Sequence, residues 1–148
     1  MGKRKMARSH IERMLQDVWD ICRVTADPDG DYPFRNGTAM GFVQLDTGSP
    51  ATVRVWAIAV GQTPKSAKLM YELNDVNVRS RTAWATWSNG RVIVEQAIPL
   101  HSTTRKSLGQ ALRAVGSIAS DIGPMIAAVY GGETPFEPDE AEFAEGSA

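Results

Sequence analysis

Hydrophobic positions in this chain switch between two periods, and the switches divide it into elements. Ile11, Met14, Leu15, Val18 and Cys22 recur at helical spacing, with Arg13, Gln16, Asp17 and Asp20 elsewhere on the wheel. Ser9 and Glu12 stand at capping-box spacing, so the pattern predicts a first helix over about Ser9 to Arg23. Cys22 reads there as a small core hydrophobe. The stretch Ala26 to Gly37 is turn chemistry, with Pro28, Gly30, Pro33 and Gly37 each blocking continuation.

Strand-like runs follow at Thr38 to Asp46 and Ala51 to Val60, divided by Thr47-Gly48-Ser49-Pro50. In the second, Val53, Val55, Ala57 and Ala59 alternate with Arg54, Trp56, Ile58 and Val60. Apolar groups on both faces suit a strand inside a sheet. A short strand at Tyr32 to Arg35 is confined to an edge by Pro33, which has no amide to give a second neighbour. Thr63-Pro64 predicts a helix start, and Leu69, Met70, Leu73 and Val76 form its buried stripe. Asn74 and Asn77 border that stripe, where asparagine amides readily tie a helix end to nearby backbone.

Asn89-Gly90 signals a two-residue type I′ turn, which needs positive φ at both central positions. The turn sets the register: Ser88 faces Arg91, Trp87 faces Val92 and Ala85 faces Val94. One face of this hairpin carries Ala83, Ala85, Trp87, Val92 and Val94 and reads as core. The other carries Trp84, Thr86, Ile93, Glu95 and Ala97, a mixed face either covered by a helix or used for binding. A last helix is expected from Ser102 or Thr103, with Leu108, Ala111, Leu112, Val115, Ala119 and Ile122 in register. Gly123-Pro124 is expected to break it, leaving a short final helix over Pro124 to Tyr130.

The 148 residues are enough for one domain with a core and hardly enough for two. The net charge of -1 conceals basic and acidic ends. Residues 1–8 hold Lys3, Arg4, Lys5 and Arg8 without an acid; residues 133–148 hold Glu133, Glu137, Asp139, Glu140, Glu142 and Glu145 without a base. The expected organisation is a basic tail over 1–8, a single domain over 9–132 and an acidic solvated tail over 133–148. A nearly neutral body argues against nucleic acid as partner. No apolar run approaches the ~20 residues of a membrane span, and the basic start leads into no apolar signal segment. With one cysteine and so no internal disulfide, the reading is cytoplasmic.

Chemistry is sparse. His10 and His101 stand apart, no CxxC or HExxH spacing occurs, and Asp27 to Asp31 lacks the ligand pattern of a calcium loop. Neither GxGxxG nor GxxxxGK[ST] is present, and no serine sits in a nucleophile elbow. No enzyme, metal or cofactor is expected.

Five short motifs in fixed order carry a resemblance. They are D-G-D-Y-P at Asp29 to Pro33, L-N-x-x-N at Leu73 to Asn77, W-x-x-G-R-V at Trp87 to Val92, E-x-x-x-P at Glu95 to Pro99 and Y-G-G at Tyr130 to Gly132. By their order and spacing the chain resembles the YbjN-like proteins, which share the type III secretion chaperone-like fold, and the match covers about Ser9 to Gly132. The resemblance implies an α+β fold, a twisted antiparallel sheet packed against helices in the order α-β-β(-β)-α-β-β-α. It also implies a non-enzymatic, chaperone-like or regulatory module, a homodimer that holds an extended client peptide on exposed apolar surface. Candidate peptide-binding residues are Trp84, Ile93 and Trp56, with Trp84 as anchor for a segment added to the sheet. The alternative is a small-molecule-sensing regulatory domain built around a closed apolar pocket.

Overall fold

The computed structural model of the chain describes residues 2–138; the remainder of the expected acidic tail, residues 139–148, lies outside them. The order is α1 (Gly2–Trp19), β1 (Tyr32–Asn36), β2 (Ala39–Asp46), β3 (Thr52–Val60), α2 (Ala67–Arg79), β4 (Trp84–Ser88), β5 (Arg91–Pro99), a 3₁₀ turn (Leu100–Ser102) and α3 (Arg105–Tyr130). The strands form one antiparallel sheet in the order β1-β2-β3-β5-β4. The expected α+β fold is therefore observed, with Pro33 in an edge strand.

Period-2 alternation decides which side of the sheet is core. Val43, Val53, Val55, Ala57, Val92 and Val94 are fully buried and share one face, against which Leu15, Leu108, Val115 and Ile126 of the helices are also buried. Gly41 on that face has a spatial role: a Cβ there would run into the ring of Phe34 on β1, so the bare backbone lets the ring lie flat on the sheet. Asn89 (φ 51°) and Gly90 (φ 80°) form the expected turn, with the expected pairing of Ser88 with Arg91 through Ala85 with Val94.

Helix boundaries depart from the sequence expectations. Helix α1 starts at Gly2, so residues 2–8, expected as a basic tail, are its first two turns. Lys, Arg, Met and Ala are good helix formers and carry the ladder upstream past Ser9. Glu12 is therefore free of capping and instead accepts a hydrogen bond from the Tyr32 hydroxyl at 2.7 Å. Burial and that carboxylate together raise the Tyr32 pKa well above its ordinary value. At the other end Asp20 takes a positive φ of 53° and Ile21 N bonds Gln16 O at 3.1 Å, closing the helix four residues before Arg23. The chain leaves the helix there, and Cys22 is exposed rather than in the core.

Helix α2 starts three residues beyond Pro64, capped by Ser66, whose Oγ accepts from Leu69 N at 3.1 Å. Helix α3 is capped by Thr104 rather than Ser102 or Thr103, in a box with Ser107. It runs unbroken through Pro124, whose ring faces outward while Ile122 and Ile126 on either side are buried. Packing of both halves on the sheet offsets the one hydrogen bond that proline forfeits. By length and composition α3 alone among the described helices could cross a membrane; here its apolar stripe lies on the sheet. Past it, Glu133 pairs with Gly61 and Phe136 N bonds Thr38 O at 3.0 Å, so the first residues of the expected acidic tail are docked.

Candidate peptide-binding surface

The face of the sheet opposite the core carries its own rows of side chains. Cross-strand pairing aligns Pro33, Phe42, Trp56, Glu95 and Trp84 in one row, and Arg35, Met40, Ile58, Ile93 and Thr86 in the next. Phe42, Trp56, Met40 and Ile58 are half-buried, whereas their sequence neighbours on the core face are at 0–1% exposure where apolar. That contrast marks a side no helix covers among the described residues. Phe42 stacks on Trp56 with ring centroids 4.7 Å apart, and the Arg54 guanidinium lies 4.9 Å from the Trp56 ring. Arg54 also pairs with Glu95 at 2.6 Å and reaches Gln44 at 3.3 Å, which fixes the charged centre of the surface.

The three candidate residues share this face but differ in exposure. Trp84 is 46% exposed at the β4 end, so no helix covers it. Trp56 is half-buried in the middle, and its indole Nε1 has no hydrogen-bond partner among the described residues. Ile93, at 8%, is buried between its neighbours and offers little area of its own. Sequence periodicity missed Phe42 and Met40, although the alternation in Thr38 to Asp46 places both opposite the core residues Gly41 and Val43.

Both sheet edges are guarded. Counting from the two-residue turn, Ala85 and Trp87 direct their backbone polar groups away from β5. Asn77 of α2 occupies those of Ala85 with both ends of its amide, at 2.9 and 2.7 Å. The second asparagine of L-N-x-x-N thus closes β4 to strand addition at its middle, against the expectation that a peptide adds beside Trp84. Asn74 is exposed and makes no such bond among the described residues. On β1, Pro33 fills an outward-facing position of the edge without an amide to offer.

Among the described residues no three His, Cys, Asp or Glu side chains are grouped to hold a metal. His10 and His101 are both exposed, on α1 and in the turn before α3. Asp27, Asp29 and Asp31 form a turn tied by Asp27 Oδ1, which accepts from Asp29 N and Asp31 N at 2.9 Å each.

A family profile described as T3SS (YopN, CesT) and YbjN peptide-binding chaperone 1 matches residues 5–138. The chain belongs to this family of peptide-binding chaperones. A search of curated protein sequences finds no match. Among solved structures, the chain is similar to one in the crystal structure of the ExsC–ExsE complex, with TM-score 0.64 and 13% identity over 80% of this chain and 95% of that one. The HopA1–SchA chaperone–effector complex gives TM-score 0.63 and 10% identity over 80% and 97%. YbjN from E. coli gives TM-score 0.56 and 14% identity over 80% and 92%. At these identities the likeness is one of fold, the type III secretion chaperone-like fold expected from the five motifs.

Proposed function

We propose that this family member holds a stretch of a client polypeptide against the aromatic side of its sheet and performs no chemistry on it. The observation that carries the reading is Trp84, 46% exposed at one end of the row Phe42–Trp56–Glu95–Trp84 on an uncovered face. Exposed aromatics beside fixed polar groups are what binding surfaces concentrate, because a large rigid ring loses little entropy when covered. Asn77 supports contact across the face over pairing at the β4 edge, with Trp84 as anchor and Trp56 beside the Arg54–Glu95 pair as the second contact.

The protein acts in this reading as a homodimer in the cytoplasm. Exposed Tyr71 and Val78, seven residues apart on α2, support association on the outer side of that helix. The compartment reading rests on the single cysteine. The clefts along the described residues are open, which supports a polypeptide over a small molecule enclosed in an apolar pocket.

The test is recovery of the protein from its native cell and identification of bound polypeptide, for the wild type and Trp84→Ala side by side. A polypeptide held by the wild type and lost from a folded Trp84→Ala supports the surface. Equal recovery by both moves the site elsewhere, and a bound small molecule without polypeptide overturns the reading.

A further inference from the structure

Glu95 stands between two tryptophans. It is directly opposite Trp56 on β3 and Trp84 on β4, so each indole is rooted one strand spacing, about 5 Å, from it on the same face. One side of the carboxylate is in use. Arg54 Nε donates to Glu95 Oε2 at 2.6 Å, with the guanidinium 4.9 Å from the Trp56 ring. Arg54 Nη1 also donates to Gln44 Oε1 at 3.3 Å, which draws the guanidinium toward β2, the side away from β4. The other side repeats the ring and the carboxylate without the cation. Trp84 is 46% exposed, and among the described residues no Lys or Arg lies over its ring. Glu95 Oε1 accepts no hydrogen bond from the described residues, and the side chain is 25% exposed.

We infer that the client segment brings an arginine or lysine to this open half, with its cation on the Trp84 ring and bonded to Glu95 Oε1. The inference rests on the client-binding reading of this face and adds the chemistry of the side chain recognised there. A carboxylate has lone pairs for donors on both oxygens, so the bond to Arg54 leaves Oε1 able to take a second cation. An apolar client group laid over Glu95 would strip water from Oε1 and return no hydrogen bond. An acidic group would meet a like charge. A cation supplies the missing bond and is drawn to the face of the indole as well. Arginine suits the half best, because a planar guanidinium stacks on an aromatic face and donates from its edge.

The test is an array of immobilised short peptides of mixed composition, probed with the full chain. Peptides retained by the wild type should be enriched in arginine or lysine beside apolar residues. For a peptide so found, exchanging its arginine for citrulline, or its lysine for norleucine, should weaken binding in solution about tenfold or more. In Glu95→Gln that ratio should shrink to within about twofold. Trp84→Leu, which leaves the Arg54–Glu95 pair untouched, should shrink it as well and serves where Glu95→Gln fails to fold. A ratio unchanged in both variants places the cation elsewhere and overturns the inference. Peptides lost in Trp84→Ala but showing no preference for a basic residue also overturn it, while leaving the client-binding face standing. A preference for acidic residues that disappears in Arg54→Gln assigns recognition to Arg54 and overturns it too. No peptide retained at all overturns both the inference and the reading beneath it.

Discussion

Asn77 and Ala85 are joined by a two-point amide clamp, Nδ2 donating to Ala85 O at 2.9 Å and Oδ1 accepting from Ala85 N at 2.7 Å. The clamp ties α2 to β4 and spends the backbone groups that an incoming strand would use. Asn77→Ala should therefore lower stability by about 1–3 kcal/mol, the cost of leaving part-buried backbone groups unpaired. At ~2–4 °C per kcal/mol for a chain near this size, thermal denaturation should show a fall of several degrees. Asn77→Asp keeps only the acceptor and should recover less than half of the loss. A midpoint unchanged in Asn77→Ala means water replaces the clamp at no cost.

Gly90 separates backbone strain from crowding. Its φ is +80°, and an added Cβ there meets nothing within 4 Å. Gly90→Val should then cost ~1–3 kcal/mol through conformation alone. Gly90→Asn, a residue that tolerates positive φ, should cost clearly less. Equal midpoints for the two variants in denaturant titration would contradict the type I′ turn.

Trp84 and Val94 are close in space on the β4–β5 hairpin, yet they should respond oppositely to truncation. Val94 is fully buried, and Val94→Ala should weaken folding by ~1–3 kcal/mol. Trp84→Ala, at a 46% exposed site, should fall well short of the ~3–5 kcal/mol lost on removing a buried aromatic, while abolishing client binding. A collapse of the Trp84→Ala domain in circular dichroism rules out the anchor role.

Asp31 carries a pH signature of known sign. Burial raises its pKa first, and the neighbouring carboxylates of Asp27 and Asp29 raise it further. The folded state thus holds the Asp31 proton to a higher pH than the unfolded chain does. Asp31 costs stability above its folded pKa and is neutral in effect below its unfolded one. Asp31→Asn should raise the thermal midpoint at pH 7, with the gain shrinking on acidification. A gain independent of pH would point to packing instead.

Association is testable without any client. Light scattering at micromolar concentration should return about twice the 16.1 kDa chain mass, and Tyr71→Glu should return the monomer. A wild-type monomer mass removes the dimer from the proposed function.

Sequence alone determined what depends on a few neighbouring residues. The Asn89-Gly90 pair set the hairpin register because positive φ at two adjacent positions admits few other turns. Alternation in Ala51 to Val60 identified an interior strand, and Pro33 an edge, because a missing amide is a property of the residue itself. Helix ends were less legible. The Ser9–Glu12 spacing is a real capping signal, but it loses to upstream residues that prolong the ladder, and Asp20 closes the helix before Cys22 could join the core. Pro124 breaks an isolated helix; in α3 the buried Ile122 and Ile126 hold both halves on the sheet. Only the tertiary structure decided that no helix among the described residues covers the side bearing Trp84, Trp56 and Phe42, and that Asn77 closes the β4 edge. Both facts follow from all the helices packing against one face, and the face chosen is a property of the whole core, not of any local run of residues.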